Sequence, residues 1–275
     1  MVIISGERMD NSALANLYPA GSFEAQLLSI MSSGSEKYRY DTLEQLKFEL
    51  KMRKETVNAA LALHNSGMSF AVFHKSKCNP DYWDRMPNGG FKLAADADPA
   101  SALEDIFLNG YKYATECATA MVIVYYKAML NVFGADAFNR LFPKMILMNW
   151  HSINPLLKEI GMIHKTQDFL YGSRGYFKNP DVDPQTPEWQ GENVIILPDE
   201  LYYGHGIGIK NAQGIIEALN KNRKKNATRS AYFLDSVSQP DYKKLADVYE
   251  STSQRVSLVW REFPPPISTQ RAALT

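Results

Sequence analysis

Apolar positions recur along the chain in several distinct patterns, and each predicts a different element. From Ala118 to Phe133 the sequence ATAMVIVYYKAMLNVF is apolar on nearly every face, which predicts a helix buried on all sides, with Cys117 at its head and Gly134 as its stop. Leu43, Leu46, Leu50, Val57 and Leu61 recur at helical intervals toward Gly67, and Asp41 and Glu44 have the spacing of a capping box, so a long helix is expected there. Asp98 and Pro99 read as the N-cap and first position of a further helix that stops near Gly110. Shorter helices are expected over Phe23–Met31, Ala135–Leu141 and Tyr242–Tyr249, and Asn211 caps an amphipathic one through Ile215, Ile216 and Leu219. Short strands are expected at Val2–Ser5, Ser69–His74 and Lys144–Trp150. Later in the chain β-like runs take over at Phe169–Phe177, Asn193–Leu197 and Leu201–Lys210, the last two forming a hairpin across Pro198-Asp199-Glu200. Helices mostly first and strands mostly later imply an α+β fold around one core. A single domain is expected over 1–250, followed from Ser251 by an extended or partly disordered tail with three consecutive prolines.

Composition narrows the classes of function. Of 275 residues 45% are hydrophobic, enough for a large core, and 30 basic residues balance 30 acidic ones, so no bulk field draws the chain to nucleic acid or anionic lipid. The Lys221–Arg229 cluster reads as a solvated helix end. No apolar run reaches the roughly 18 residues of a membrane span, and the longest carries Lys127. The start MVIISGERMD lacks the basic and long apolar regions of a secretory signal, so a cytoplasmic protein is expected. Its two cysteines, Cys78 and Cys117, are then expected to be free thiols.

Several motifs carry candidate chemistry. His64, His74 and Cys78 lie close in sequence but lack a second cysteine pair or an HExxH, so no metal is expected. Gly204-His205-Gly206-Ile207-Gly208 has its third glycine one residue too early for a dinucleotide fingerprint. Thiol acyl transfer is better supported. At a helix start, orphan N–H groups and the helix dipole favour a thiolate at Cys117, while Glu116 beside it opposes one. A cysteine attacking an amide also needs a proton carrier, for which Glu192 and His205 on the later strands are candidates. Each also has a plain reading, as a strand-end carboxylate and a structural histidine.

The segments FELKMR (Phe48 to Arg53), ECATAMVIVYY (Glu116 to Tyr126), YFKNPDVDPQTPEWQGENVIIL (Tyr176 to Leu197) and HGIGI (His205 to Ile209) together resemble the small protein-glutamine γ-glutamyltransferases of spore-forming bacilli. The resemblance implies a papain-like, NlpC/P60-type core whose nucleophile helix packs on an antiparallel sheet. By position it makes Cys117 the nucleophile, Glu192 the principal catalytic carboxylate and Glu116 a neighbour able to share that role, with His205 near the site. It implies no cofactor, an enclosed hydrophobic passage for which Phe70, Trp83, Trp150 and Trp189 are candidate walls, and protein substrates bearing Gln and Lys. Those substrates would be spore coat proteins, with the enzyme moving from the cytoplasm of the producing cell to the spore surface. A cysteine amidase or peptidase, or a non-catalytic coat-binding protein, is the alternative. A thiol flanked by two carboxylates is expected to stay protonated at rest.

Overall fold

The computed structural model describes residues 1–262, with side chains through Thr252. Its centre is the helix Cys117–Phe133, in which every residue from Ala118 to Tyr126 is buried. Such a helix needs neighbours on all sides. The long helix Leu43–Asn65 packs along it through Met52, Ala59, Ala60 and Leu63, joined by Pro99–Leu108 and by Tyr242–Glu262, which lies on Leu43–Asn65. Lys127, the charge inside the apolar run, emerges beside Glu104 and pairs with it.

The remaining face of the central helix meets an antiparallel five-stranded sheet. In spatial order its strands are Gly208–Asn211, Leu201–Gly204, Gly191–Ile196, Arg174–Lys178 and Tyr232–Phe233. Gly191–Ile196 is buried along its whole length, and the register sets Tyr176 opposite Asn193 and Phe177 opposite Glu192. The expected hairpin turns through Asp199 and Glu200, both left-handed at φ 58° and 57°, a geometry that matches the twist of antiparallel strands. Smaller sheets finish the N-terminal half, where Val2–Ile4 pairs in parallel with Tyr38–Tyr40, and Ser69–Phe70 with Ala114–Thr115. That second pair puts Phe70 beside the segment leading into Cys117.

Several expectations shift. The long helix is capped one residue later than its Asp/Glu spacing implies, because Thr42 accepts from the Gln45 N–H while Gln45 Oε1 accepts from the Asp41 N–H. Leu61, placed on the core stripe by period, is exposed at 38%. The Leu201–Lys210 run is two strands, broken at His205–Ile207. Only Ile146–Leu147 of the expected Lys144–Trp150 strand, and Arg174–Lys178 near the end of the Phe169–Phe177 run, are paired as strands. The cationic stretch is not simply solvated: Arg229 and Lys224 fold onto buried Asp181, which also accepts from the Thr228 and Arg229 N–H groups. The last helix runs to Glu262, through the start of the segment expected to be extended, and residues 263–275 of that segment lie outside the described residues. No helix among the described residues is long and apolar enough to cross a membrane.

Candidate active site

Cys117 is the first residue of the central helix and Glu116 is its N-cap. Glutamate rarely caps a helix with its own side chain, but here the carboxylate folds back onto the first turn. It accepts from the Ala118 N–H at 2.6 Å, the Thr119 N–H at 2.7 Å and the Thr119 hydroxyl. Two of the orphan donors expected to draw an anion toward Cys117, the Ala118 and Thr119 N–H groups, are therefore occupied from within the helix.

The strand Gly191–Ile196 supplies the other side of the site. Glu192 is buried, and its Oε1 has no hydrogen-bond partner among the described residues. Burial, then the charge of Glu116, hold its carboxyl well above the usual range, against one backbone N–H from His205. Gly204 is what admits it: a Cβ there would lie 2.9 Å from both Cγ and Oε1 of Glu192. Asn193 donates from Nδ2 to Cys117 Sγ at 3.3 Å. The thiol is pushed strongly upward by burial, then by Glu192 and Glu116, against the side chain and backbone of Asn193. A thiol protonated at rest follows. Tyr176, across the ladder from Asn193, is pushed up to about 12 by burial and then by Cys117 and Glu192.

His205 is buried close to these groups, yet both its ring nitrogens are engaged. Nε2 lies 3.1 Å from the Ser69 carbonyl, which can only accept, so Nε2 carries the proton and Nδ1 accepts from the Tyr203 hydroxyl at 3.1 Å. Burial pushes the ring down to about 4, so it is neutral near pH 7. It joins the sheet to the Ser69–Phe70 strand rather than presenting a free nitrogen to the thiol.

Cys117 is half-buried and opens on a cleft of about 670 Å³ lined by Phe70, Val72, Tyr176, Glu188 and Asn193 among others. A second, narrow opening of about 40 Å³ leads to Glu192 between Phe70, Glu188, Trp189 and His205. Phe70 and Glu188 belong to both, so they stand between the approach to the thiol and the approach to the carboxyl. Gly206, at φ 102°, makes room for Phe70, whose Cβ and Cγ would lie 3.0 Å from an added Cβ. Of the four aromatic candidates, Phe70 and Trp189 line these openings. Trp83 does not: it is 1% exposed in the core, donating to the Ala102 carbonyl. Trp150 also stands back, stacked 4.4 Å over the Arg174 guanidinium. Asn193, Arg174 and Tyr176 were not foreseen, although Asn193 and Tyr176 lie within a segment that carries the resemblance and Arg174 is a charge inside a β-like run. Among the described residues no group of three or more His, Cys, Asp or Glu side chains is arranged as a metal site.

The arrangement pairs a cysteine at a helix start with a protonatable carboxyl delivered by an antiparallel strand. A solved transglutaminase from Geobacillus stearothermophilus, lacking its C-terminal extension, superposes with a TM-score of 0.71 at 48% identity, over 75% of this chain and 98% of that one. Protein-glutamine γ-glutamyltransferases of Bacillus cereus and Bacillus anthracis are 39% and 41% identical over 94% and 87% of this chain, and over 92% and 86% of their own. The family model for protein-glutamine γ-glutamyltransferase matches residues 1–249, and the chain belongs to that family.

Proposed function

We propose that the protein crosslinks other proteins by γ-glutamyl transfer through a Cys117 thioester, with Glu192 as the proton carrier. The observation that carries this reading is a buried carboxyl with an orphan oxygen beside a thiol that is itself held protonated. Glu192 takes the thiol proton as Sγ attacks the carboxamide carbon of a substrate glutamine, then passes it to the departing nitrogen, so ammonia leaves and a thioester remains. The lysine ammonium first releases a proton to solvent. The free amine then attacks the thioester and gives up a second proton through Glu192, the C–S bond breaks, and the sulfur takes that proton as the isopeptide bond forms. No cofactor takes part in these steps.

Glutamine reaches the thiol through the larger cleft. Lysine is suited to the narrow opening, where the exposed Glu188 carboxylate meets its ammonium and the walls of Phe70 and Trp189 limit competing water. Glu116 serves as the helix cap, since both its oxygens are committed to donors. His205 braces the floor. A helix bearing the cysteine and packed on an antiparallel sheet that delivers its carboxyl partner supports the NlpC/P60-type core. The resemblance to enzymes of spore-forming bacilli, and relatives from Bacillus, support spore coat proteins as substrates and passage from the cytoplasm to the spore surface.

Incubating the protein with a glutamine-bearing protein, with and without a primary amine, tests the reaction. Transfer requires amine incorporation together with ammonia release. Ammonia without incorporation would identify a hydrolytic amidase, and neither, with an intact thiol, a non-catalytic binding protein.

A further inference from the structure

Arg174 is a buried cation with no carboxylate partner among the described residues. It is 4% exposed, its Nε donates to the Ile160 carbonyl at 3.0 Å and to Ser238 Oγ at 2.7 Å, and its Nη1 donates to Asn193 Oδ1 at 2.7 Å. Its fourth neighbour is the face of Trp150. All four are neutral, whereas buried charges are ordinarily paired. The other buried guanidinium, Arg53, has Glu49 at 2.8 Å. The missing counter-charge lies one residue further on, because Asn193 hands the contact to Cys117 Sγ. An amide can present either its oxygen or its nitrogen to a neighbour, and the guanidinium, which only donates, holds the oxygen and so turns Nδ2 to the sulfur.

We infer that Asn193 is a catalytic hydrogen-bond donor to the developing Cys117 thiolate, and that Arg174 is the positioning residue that fixes its orientation. The thiolate, formed only during reaction, is the anion the buried cation awaits. Because Glu116 occupies the Ala118 and Thr119 N–H groups, the helix start cannot supply those two donors. Ser238 ties the chain after the sheet into the same support: its hydroxyl accepts from Arg174, and its backbone N–H and carbonyl bond to the Arg174 carbonyl and N–H at 2.9 Å. The inference extends the mechanism above, but its first test needs no acyl substrate.

That test is the rate of Cys117 alkylation by iodoacetamide as a function of pH, followed by mass spectrometry of the Cys117 peptide so that Cys78 is scored separately. Glu192, Glu116, Tyr176 and Arg174 all act on this thiol and remain in place in Asn193→Ala. Asn193→Ala should move the profile to higher pH and lower kcat for amine incorporation by about 10- to 100-fold with KM little changed, the range for a hydrogen bond to a charged group. Arg174→Met should do the same in the wild-type background and shift the profile much less in the Asn193→Ala background, where only its direct charge on the thiol is lost and not its hold on Asn193. If it fails to fold, Arg174→Lys takes its place with a smaller shift. An unchanged profile in Asn193→Ala, or an equal shift from Arg174 with and without Asn193, overturns the inference. Amine incorporation absent from the wild type, with the alkylation shifts present, overturns the transferase reading instead.

Discussion

Two carboxyls face the Cys117 thiol from two regions of the molecule, and they are satisfied in opposite ways. On the helix side Glu116 is bound by two backbone N–H groups and a hydroxyl of its own first turn. On the sheet side Glu192 is equally out of solvent, yet one of its oxygens meets nothing and its proton affinity rises. A group that must take and release a proton within one turnover needs a free oxygen and a proton affinity close to that of its partner. The helix side has used its acceptors to hold the helix. The sheet side has kept one in reserve.

Exchanging the two carboxyls for amides breaks or sharpens this contrast, and Glu192→Gln should have the larger effect. We expect kcat for amine incorporation to fall by about 100-fold or more, with substrate binding retained. Stability should move the other way. A carboxyl whose folded pKa lies above its unfolded value contributes stability below the unfolded pKa and loses it as pH rises toward the folded one. At pH 8 the Gln variant, which has no charge to bury, should therefore be at least as stable as wild type by thermal unfolding. Glu116→Gln should show the reverse pattern: about 1 kcal/mol lost in denaturant unfolding from a weakened cap, and less than about 10-fold in kcat. A greater rate loss at Glu116 than at Glu192 would exchange their roles.

The sheet side also carries an acid sensitivity of its own. His205 is neutral in the fold, pushed down to about 4 from an ordinary 6.5, whereas in the unfolded chain it protonates near 6.5. A group with a depressed folded pKa contributes stability that is present above the unfolded pKa and lost as pH falls through the folded one. Between pH 6.5 and 4 this site should cost about 3 kcal/mol, read as a falling denaturation midpoint. His205→Gln should flatten that slope while leaving the pH dependence of Cys117 alkylation in place. A shifted alkylation profile would instead make the ring a proton carrier.

How much of this was legible beforehand follows from how local each feature is. The central helix could be read from its apolar run, the Pro99 helix from its cap and the hairpin from its turn, because each depends on a few neighbouring residues. The family resemblance singled out Cys117 and Glu192. What escaped depends on contacts between distant segments. Thr42, not Asp41, caps the long helix, and the Gln45 side chain reaches back past it to the Asp41 N–H, a choice between two alternatives one position apart in sequence. Trp83 and Trp189 are both candidate walls by sequence, but the first enters the core and only the second reaches an opening. Arg174 meets Asn193 only once two strands align in antiparallel register. The capping bonds of Glu116 were hardest to read, since they depend on its side chain folding back onto its own first turn.

The smallest expected effect lies where the two approaches meet. Glu188 lines both openings and is exposed, with no hydrogen bond or ion pair shown among the described residues. If it greets the lysine ammonium, Glu188→Gln should raise KM for a cationic amine acceptor by about 2- to 5-fold at low salt, the strength of one exposed charge contact. The difference should shrink as ionic strength rises, because such contacts are screened within about 10 Å at 0.1 M salt. Ammonia release without an amine should be unchanged, since glutamine carries no charge to be attracted and the thiol is approached through the larger cleft. A rise in KM for glutamine instead would make Glu188 a wall of the acyl-donor cleft, and the narrow opening would lose the charge that distinguishes it as the route for lysine.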